Sequence, residues 1–186
     1  MVSTSEIKRG MIVELDGQLQ KILEYDHQKI GRGSAQVKIN FKNIRTGSNT
    51  VRTFQAGAKF NDVRLERQIV QYLYNDGDDY HFMNTETYEQ PVLNEEQLGD
   101  VRYYIHENDT VELITFNNEP IDIEIPPSVI LTISYTEPGV KGDTATGATK
   151  HATTDTGLTI TVPLFVNTGD KVKVDTRTAS YVERAN

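Results

Sequence analysis

Arg32 stands between two glycines, Gly31 and Gly33, in a stretch that begins at Lys29 and reads KIGRGS. A guanidinium is permanently charged and donates planar, forked hydrogen bonds, which suits it to phosphate or RNA. The flanking glycines permit positive φ in a turn and leave the arginine side chain unobstructed. An exposed arginine is also ordinary soluble surface, so the residue type alone leaves both interpretations open.

Three lysines lie close to this turn in the sequence, Lys29, Lys38 and Lys42. Affinity for the phosphates of a nucleic acid grows with each charge that a protein neutralises. The group therefore favours a nucleic-acid contact over plain surface, although it does not decide between them.

A second polar stretch, Gly142 to Lys150, is spaced like a phosphate-binding loop. In such a loop a lysine follows the second glycine, but Ala148 occupies that position here. Residues 151–157 also lack the apolar pattern of the helix that must follow, so nucleotide hydrolysis is not expected. The stretch is consistent with a flexible loop, and equally with small polar residues that bind RNA bases or backbone.

No other group of residues predicts catalysis or metal binding. The chain has no cysteine, and its four histidines are scattered without metal-ligand spacing. The acidic run Asp76, Asp78, Asp79 lacks the pattern of a calcium loop and is typical of a solvated turn. We therefore expect no catalytic residue, no metal and no cofactor.

The elements that must position these residues are mostly short strands. Apolar and polar residues alternate from Val37 to Lys42, which predicts a half-buried strand with a basic outer face. One short helix is predicted at Asn94 to Leu98, with a capping box and Gly99 at its end. Nine further strands are predicted at Met11 to Leu15, Gln20 to Tyr25, Thr50 to Phe54, Ile69 to Tyr74, Tyr80 to Asn84, Thr110 to Phe116, Val129 to Tyr135, Leu158 to Phe165 and Lys171 to Thr176.

Charge and proline divide the chain into three parts. Residues 1–63 hold ten Lys and Arg against six Asp and Glu, whereas residues 64–128 hold three against fifteen. Pro126 and Pro127 cannot lie in a central strand, because neither has an amide proton to donate. We predict three small β domains, at residues 1–63, 64–127 and 128–186. The basic first domain suits contact with a polyanion, and the charge balance is equally that of a solvated surface with uneven charge.

The N-terminus lacks the basic-then-apolar build of a signal peptide, and no apolar run is long enough to span a bilayer. We therefore expect a cytoplasmic protein with no membrane partner.

The whole chain resembles bacterial elongation factor P. His27 to Gly33 is similar to the tip of that family's N-terminal hairpin, followed by a similar strand to Asn43 and a turn at Thr46-Gly47. Pro138 to Thr144 is also similar to a segment of the family. The family's C-terminal signature is matched at every defined position, by Lys150, Ala152, Gly157, Ile160, Val162, Pro163, Val166 and Gly169.

The resemblance implies three β-barrel domains in an L shape, an SH3-like (KOW-like) first domain followed by two OB-fold domains. It implies a monomer that binds the 70S ribosome between the peptidyl and exit tRNA sites and stimulates peptide-bond formation at consecutive prolines. Arg32 would then contact the peptidyl-site tRNA near the peptidyl transferase centre, at a tip formed with Gly31 and Gly33.

Further contacts follow from the same resemblance. Gly142, Asp143 and Thr144 would contact mRNA in the exit site, beside the small subunit. On charge and placement alone, Lys29 and Lys42 are the candidates for supporting contacts with ribosomal RNA or tRNA.

One departure concerns the tip residue. Many members carry a lysine there that receives a lysyl group, whereas members with arginine are either rhamnosylated or work unmodified. Arg32 therefore argues against lysyl modification and leaves an arginine-modifying enzyme as a partner to test. Two other classes stay open at this point, a general single-stranded RNA-binding β-barrel protein and, more remotely, a nucleotide hydrolase.

Overall fold

The first part of the chain forms a six-stranded antiparallel sheet. The computed structural model describes residues 1–28, 35–139 and 147–185 of the 186-residue chain. The six strands lie side by side in the order β1-β6-β2-β3-β4-β5. They are β1 (Val2–Ser3), β2 (Ile12–Leu15), β3 (Gln18–Gln28), β4 (Gln36–Asn43), β5 (Asn49–Gln55) and β6 (Lys59–Asp62).

The second sheet has five strands in the order β11-β10-β7-β8-β9, and its edge strands β9 and β11 contact each other, which curls it into a barrel. A helix, α1 (Glu95–Leu98), and a 3-10 helix, Gly99–Tyr103, follow β9. The strands are β7 (Glu66–Asp76), β8 (Asp79–Asn84), β9 (Val92–Asn94), β10 (Thr110–Phe116) and β11 (Glu119–Glu124).

The third sheet also has five strands, ordered β14-β13-β12-β15-β16, with contacts between its edges β14 and β16. Its strands are β12 (Ser128–Thr136), β13 (Thr149–Thr154), β14 (Thr159–Pro163), β15 (Lys171–Asp175) and β16 (Ser180–Ala185). The all-β class with three small barrels is therefore confirmed. The domain boundaries drawn after residues 63 and 127 stay predictions.

Local sequence patterns explain the elements that were predicted. Val37, Ile39 and Phe41 are buried in the first core while Lys38 is exposed, as alternation requires. The side chain of Asn94 accepts a hydrogen bond from the amide of Gln97 at 2.8 Å, and the Gln97 side chain accepts one from the Asn94 amide at 2.9 Å. These two bonds form the predicted capping box, which fixes the start of α1.

All nine further strand predictions overlap an observed strand, but six strands were not predicted. The missed strands are short or contain few large apolar residues, so alternation does not mark them: β1, β6, β9, β11, β13 and β16. Strand β13 lies partly in the stretch that was interpreted as a loop. Its Ala152 and Thr154 are buried against the third barrel although neither residue is large and apolar.

Each barrel has its own apolar core, and a fourth buried cluster joins the first barrel to the second. The joining cluster consists of Ile12, Leu19, Ile44, Ile114 and Ile121. Within the described residues no helix is both long and apolar enough to cross a membrane.

Candidate functional site

Strands β3 and β4 form a long hairpin in the first domain, here called the finger, and β5 pairs along the other edge of β4 from Gln36 to Lys42. They pair antiparallel from Gln20↔Asn43 to Gln28↔Gln36, so the strands that flank the arginine turn are adjacent, as predicted. Arg32, Gly31, Gly33 and Lys29 lie outside the described residues. Their roles stay predictions. The described strands closest to them end at Gln28 on β3 and begin again at Gln36 on β4.

In the outer half of the finger the β3 side chains are solvent-accessible, whereas Val37 and Ile39 opposite them on β4 are buried in the first core. Glu24, Tyr25, Asp26 and His27 are exposed on β3, and Lys38 is exposed on β4 opposite Asp26. The rings of Tyr25 and His27 meet edge to face, with their centroids 5.7 Å apart. These exposed side chains of β3 are therefore accessible to a partner.

The base of the finger is held against the second barrel. Lys21 on β3 and Lys42 on β4 are cross-strand partners, and the Lys21 ammonium pairs with the carboxylate of Asp122 on β11. The Asp122 side chain is only 7% exposed, and its second oxygen accepts a hydrogen bond from the amide of Ile123 at 3.0 Å. The finger therefore begins at a partly buried ion pair between domains.

Lys42 lies in this junction as well. Burial lowers the pKa of its ammonium below 10.5, more than the nearby carboxylates of Asp122 and Asp100 raise it, and Lys21 lowers it further. The structure thus gives Lys42 protein neighbours on the second domain. Its assignment as a phosphate contact stays a prediction.

We expect Lys42→Met to raise the thermal midpoint slightly, because it removes a charge that folding partly desolvates. The lowered pKa means that the unfolded chain binds more protons than the folded chain at alkaline pH, so stability in the parent rises with pH up to about 10.5. That alkaline rise should shrink in the variant. Unfolding measured at several pH values tests this, with Lys38→Met on the exposed face of β4 as the control; a lower midpoint for Lys42→Met would contradict it.

The Thr46-Gly47 turn packs directly on the second domain. Gly47 has φ +68°, and a Cβ added there would lie 3.2 Å from Cβ of Glu96 and 3.3 Å from its carbonyl oxygen. Nearby, the guanidinium of Arg45 donates to the carboxylate of Glu119 at 2.8 Å, although both side chains are largely exposed. Glycine at position 47 therefore permits close approach of two domains as well as a turn.

Replacing Gly47 by alanine should destabilise the chain by about 1–2 kcal/mol for the left-handed backbone, plus a further cost for the contact with Glu96. Gly57→Ala is the matched control, because Gly57 has φ +89° but open space around the added Cβ. Denaturant unfolding should show a larger loss at position 47. Equal losses would mean that the contact with α1 adds nothing.

The second domain is joined to the third through the 3-10 helix. Tyr104, which follows this helix, is 5% exposed and packs in the core of the third barrel. The hydroxyl of Thr156 donates to the carbonyl of Tyr103 at 2.7 Å, and the His106 ring lies 3.1 Å from the carboxylate of Asp155. Burial raises the pKa of the Tyr104 hydroxyl, which is consistent with this position between domains.

The C-terminal loop assigned to mRNA lies outside the described residues at Gly142, Asp143 and Thr144. The residues of the C-terminal signature that follow it are mostly structural. Ala152, Ile160, Val162 and Val166 are buried in the third core, and Gly157 and Gly169 have positive φ. The signature therefore specifies the barrel that carries the loop.

Across residues 1–28, 35–139 and 147–185, no three histidine, aspartate or glutamate side chains are grouped so as to hold a metal. The acidic residues of the second domain are mostly exposed, and two of them pair with cations of the first domain, Asp122 with Lys21 and Glu119 with Arg45.

Three antiparallel β units in series, the first with an exposed finger, define a multidomain protein of small β barrels. Family models match all three in order: the elongation factor P KOW-like domain at residues 3–60, the OB domain at 65–123 and the C-terminal domain at 129–184. Elongation factor P of Moorella thermoacetica is 51% identical over 185 residues, and the alignment covers all of both chains.

Two further relatives give the same result. Elongation factor P of Desulfitobacterium hafniense is 46% identical over 185 residues with full coverage of both chains, and that of Pelotomaculum thermopropionicum is 44% identical over 184 residues, covering 99% of this chain and 100% of its own. The chain belongs to the elongation factor P family and is a translation factor.

Sequence reasoning missed Asp122 and Tyr104, the two residues that connect the domains most directly. Asp122 stands between two isoleucines that are themselves buried, and a carboxylate in such a setting signals a buried partner. Nothing in the sequence identifies Lys21 as that partner, because the two residues are 101 positions apart.

Proposed function

We propose that this chain binds the 70S ribosome between the peptidyl and exit tRNA sites and stimulates peptide-bond formation at consecutive prolines. The observation that carries the proposal is the match of the whole chain to the elongation factor P family. A long hairpin with exposed side chains on the outer half of β3, and with an arginine in the sequence between its two strands, supports it.

Arg32 acts in this proposal by position and charge. A proline has its φ fixed by its ring and is an awkward partner in peptide-bond formation. A cation beside the acceptor end of the peptidyl-site tRNA restrains that end in a reactive geometry, and restraint of this kind can supply a large part of a rate enhancement. The ribosome performs the chemistry, so the chain is not an enzyme and needs no cofactor or metal.

The charge distribution supports an orientation in which the first domain faces RNA. The first domain has more basic than acidic residues, and the second has five times as many acidic as basic ones. Phosphate-rich RNA therefore attracts the first domain and repels much of the second. Lys29 on the finger adds to the contact with the tRNA or ribosomal RNA, and Gly142, Asp143 and Thr144 approach mRNA in the exit site from the third domain.

The decisive experiment is reconstituted translation of a template that encodes Pro-Pro-Pro, with and without the factor. We expect the factor to accelerate synthesis on this template and to leave a matched template without consecutive prolines unchanged. Equal rates with and without the factor on Pro-Pro-Pro would contradict the proposal.

A general single-stranded RNA-binding protein would behave differently. It would bind free RNA with a steep salt dependence, whereas the proposed factor binds free RNA weakly at physiological salt. On the second barrel Tyr74 and His81 stack on each other at 4.6 Å between ring centroids, and Asp76 and Asp79 flank them. This acidic setting disfavours base stacking with a polyanion, so we prefer the ribosomal role.

The proposal places the chain in the cytoplasm as a monomer. Intact-mass analysis of the protein from its native host will show whether an arginine-modifying enzyme acts on Arg32. A mass equal to that of the unmodified sequence would remove that enzyme from the list of partners.

A further inference from the structure

The ion pair between Lys21 and Asp122 lies where the finger meets the second barrel. Its two side chains are 26% and 7% exposed, and they come from strands β3 and β11 of different domains. The neighbouring interdomain pair, Arg45 with Glu119, is 64% and 45% exposed and so is largely solvated. The two pairs connect the same two domains but differ in burial.

Burial gives the Lys21–Asp122 pair a geometric role. Desolvation offsets much of the attraction in a buried pair, so such pairs contribute little net stability, yet their hydrogen bonds are directional. The junction also contains a cluster of isoleucine and leucine side chains, whose contacts are non-directional, together with the exposed Arg45–Glu119 pair and the contact of Gly47 with Glu96. The Lys21–Asp122 pair is therefore suited to fix the angle between the finger and the second barrel.

The finger converts a small change of angle into a large displacement. Lys21 to Gln28 spans seven residues of extended strand, or about 23 Å. A rotation of about 10° at the base would thus move Gln28 by about 4 Å. Displacements of about 1 Å at a reacting centre can already cost about 100-fold in rate.

We propose that Asp122 is a positioning residue: by pairing with Lys21 at the base of the finger, it sets where the arginine turn lies relative to the rest of the factor. The inference rests on the proposed function and adds a residue that contacts neither RNA nor substrate. Lys42, the cross-strand partner of Lys21, places a second cation near the carboxylate of Asp122. A negative charge at position 122 therefore stabilises two cations.

The first test is Asp122→Asn, which keeps the shape of the side chain but removes its charge. Glu119→Gln is the matched control, because Glu119 lies on the same strand and also pairs with a cation of the first domain. At saturating factor we expect the rate of synthesis on Pro-Pro-Pro to fall at least about tenfold for Asp122→Asn and to stay unchanged for Glu119→Gln. The factor concentration at half-maximal rate should change less than the rate, and Asp122→Glu should recover part of the activity.

The second test measures the geometry without the ribosome. The chain has no cysteine, so spin labels can be attached at Lys38→Cys on the finger and Glu86→Cys on the second barrel, both exposed. The distance distribution between the labels should be narrow in the parent and in Glu119→Gln, and broader in Asp122→Asn. The double variant Lys21→Met with Asp122→Leu removes both charges of the pair, and Lys42 keeps the nearby carboxylate of Asp100, so the variant should stay folded while its distribution stays broad.

The outcomes separate this inference from the proposed function. A narrow distribution and full rate in Asp122→Asn would overturn the positioning role, and so would a lower rate with an unchanged distribution. A double variant that matches the parent in both measurements would overturn it as well. If the parent itself fails to accelerate Pro-Pro-Pro synthesis, the proposed function fails, whereas a broadened distribution in Asp122→Asn would still show that the pair fixes the finger.

Discussion

Arg32→Ala is expected to abolish the stimulation of peptide-bond formation between consecutive prolines while the protein stays folded. The sequence places the residue between two glycines, and we expect a side chain in such a turn to add little to stability. Its proposed contact supplies the cation that restrains the tRNA end, and loss of a single preorganised charge at a reacting centre typically costs about 100- to 1000-fold. Translation of a Pro-Pro-Pro template at saturating factor measures the effect.

Two further variants make this result specific. Lys59→Ala removes one positive charge from the same domain at an exposed position of β6 and should leave the rate nearly unchanged. Arg32→Lys keeps the charge but loses the planar fork, so we expect partial activity. If Arg32→Ala accelerated synthesis as well as the parent, the assignment of the tip would be wrong.

Tyr104→Ala is expected to be the most destabilising of the substitutions considered, at about 3–5 kcal/mol. Tyr104 follows the 3-10 helix of the second domain, but its ring belongs to the buried cluster of the third barrel, which also contains Leu131 and Val172. Its removal leaves a cavity at the junction, so the third barrel loses both packing and its attachment. Calorimetry should resolve an earlier transition, and hydrogen exchange should locate it in β12 to β16.

Tyr104→Phe serves as the control, since it keeps the ring and removes only the hydroxyl. We expect it to change stability much less than the alanine variant, and the exposed Tyr135→Ala should behave likewise. A loss below about 1 kcal/mol for Tyr104→Ala would mean that the junction can collapse around the missing ring.

The elements that could be predicted are those whose causes are local. Alternation in β4 depends on residues two positions apart, and the capping box of α1 depends on Asn94 and Gln97 three positions apart. Such signals survive in a single sequence because the chain itself provides both partners. The resemblance to elongation factor P, confirmed by the family models, then supplied the order of the three barrels.

What could not be predicted depends on residues far apart in the chain. From the alternation of its strand, Lys42 is predicted to be an outward-facing cation. Only the packing of the second barrel shows that its ammonium is half-buried near Asp122. Nothing in the sequence distinguishes Tyr104 from the other aromatic residues. Its position in the third core depends on a contact between domains. The residue types of the arginine turn are enough to suggest contact with RNA. The Lys21–Asp122 pair at the base of the finger can be found only from the fold.

The central claim is that the finger carries Arg32 to the acceptor end of the peptidyl-site tRNA. The most direct test is an electron cryomicroscopy map of this factor on ribosomes stalled at Pro-Pro-Pro. We predict density for the first domain between the peptidyl and exit tRNA sites, with the Arg32 side chain against the terminal nucleotides of the tRNA. A map in which the factor is bound but the finger points away from the tRNA into solvent would contradict the account.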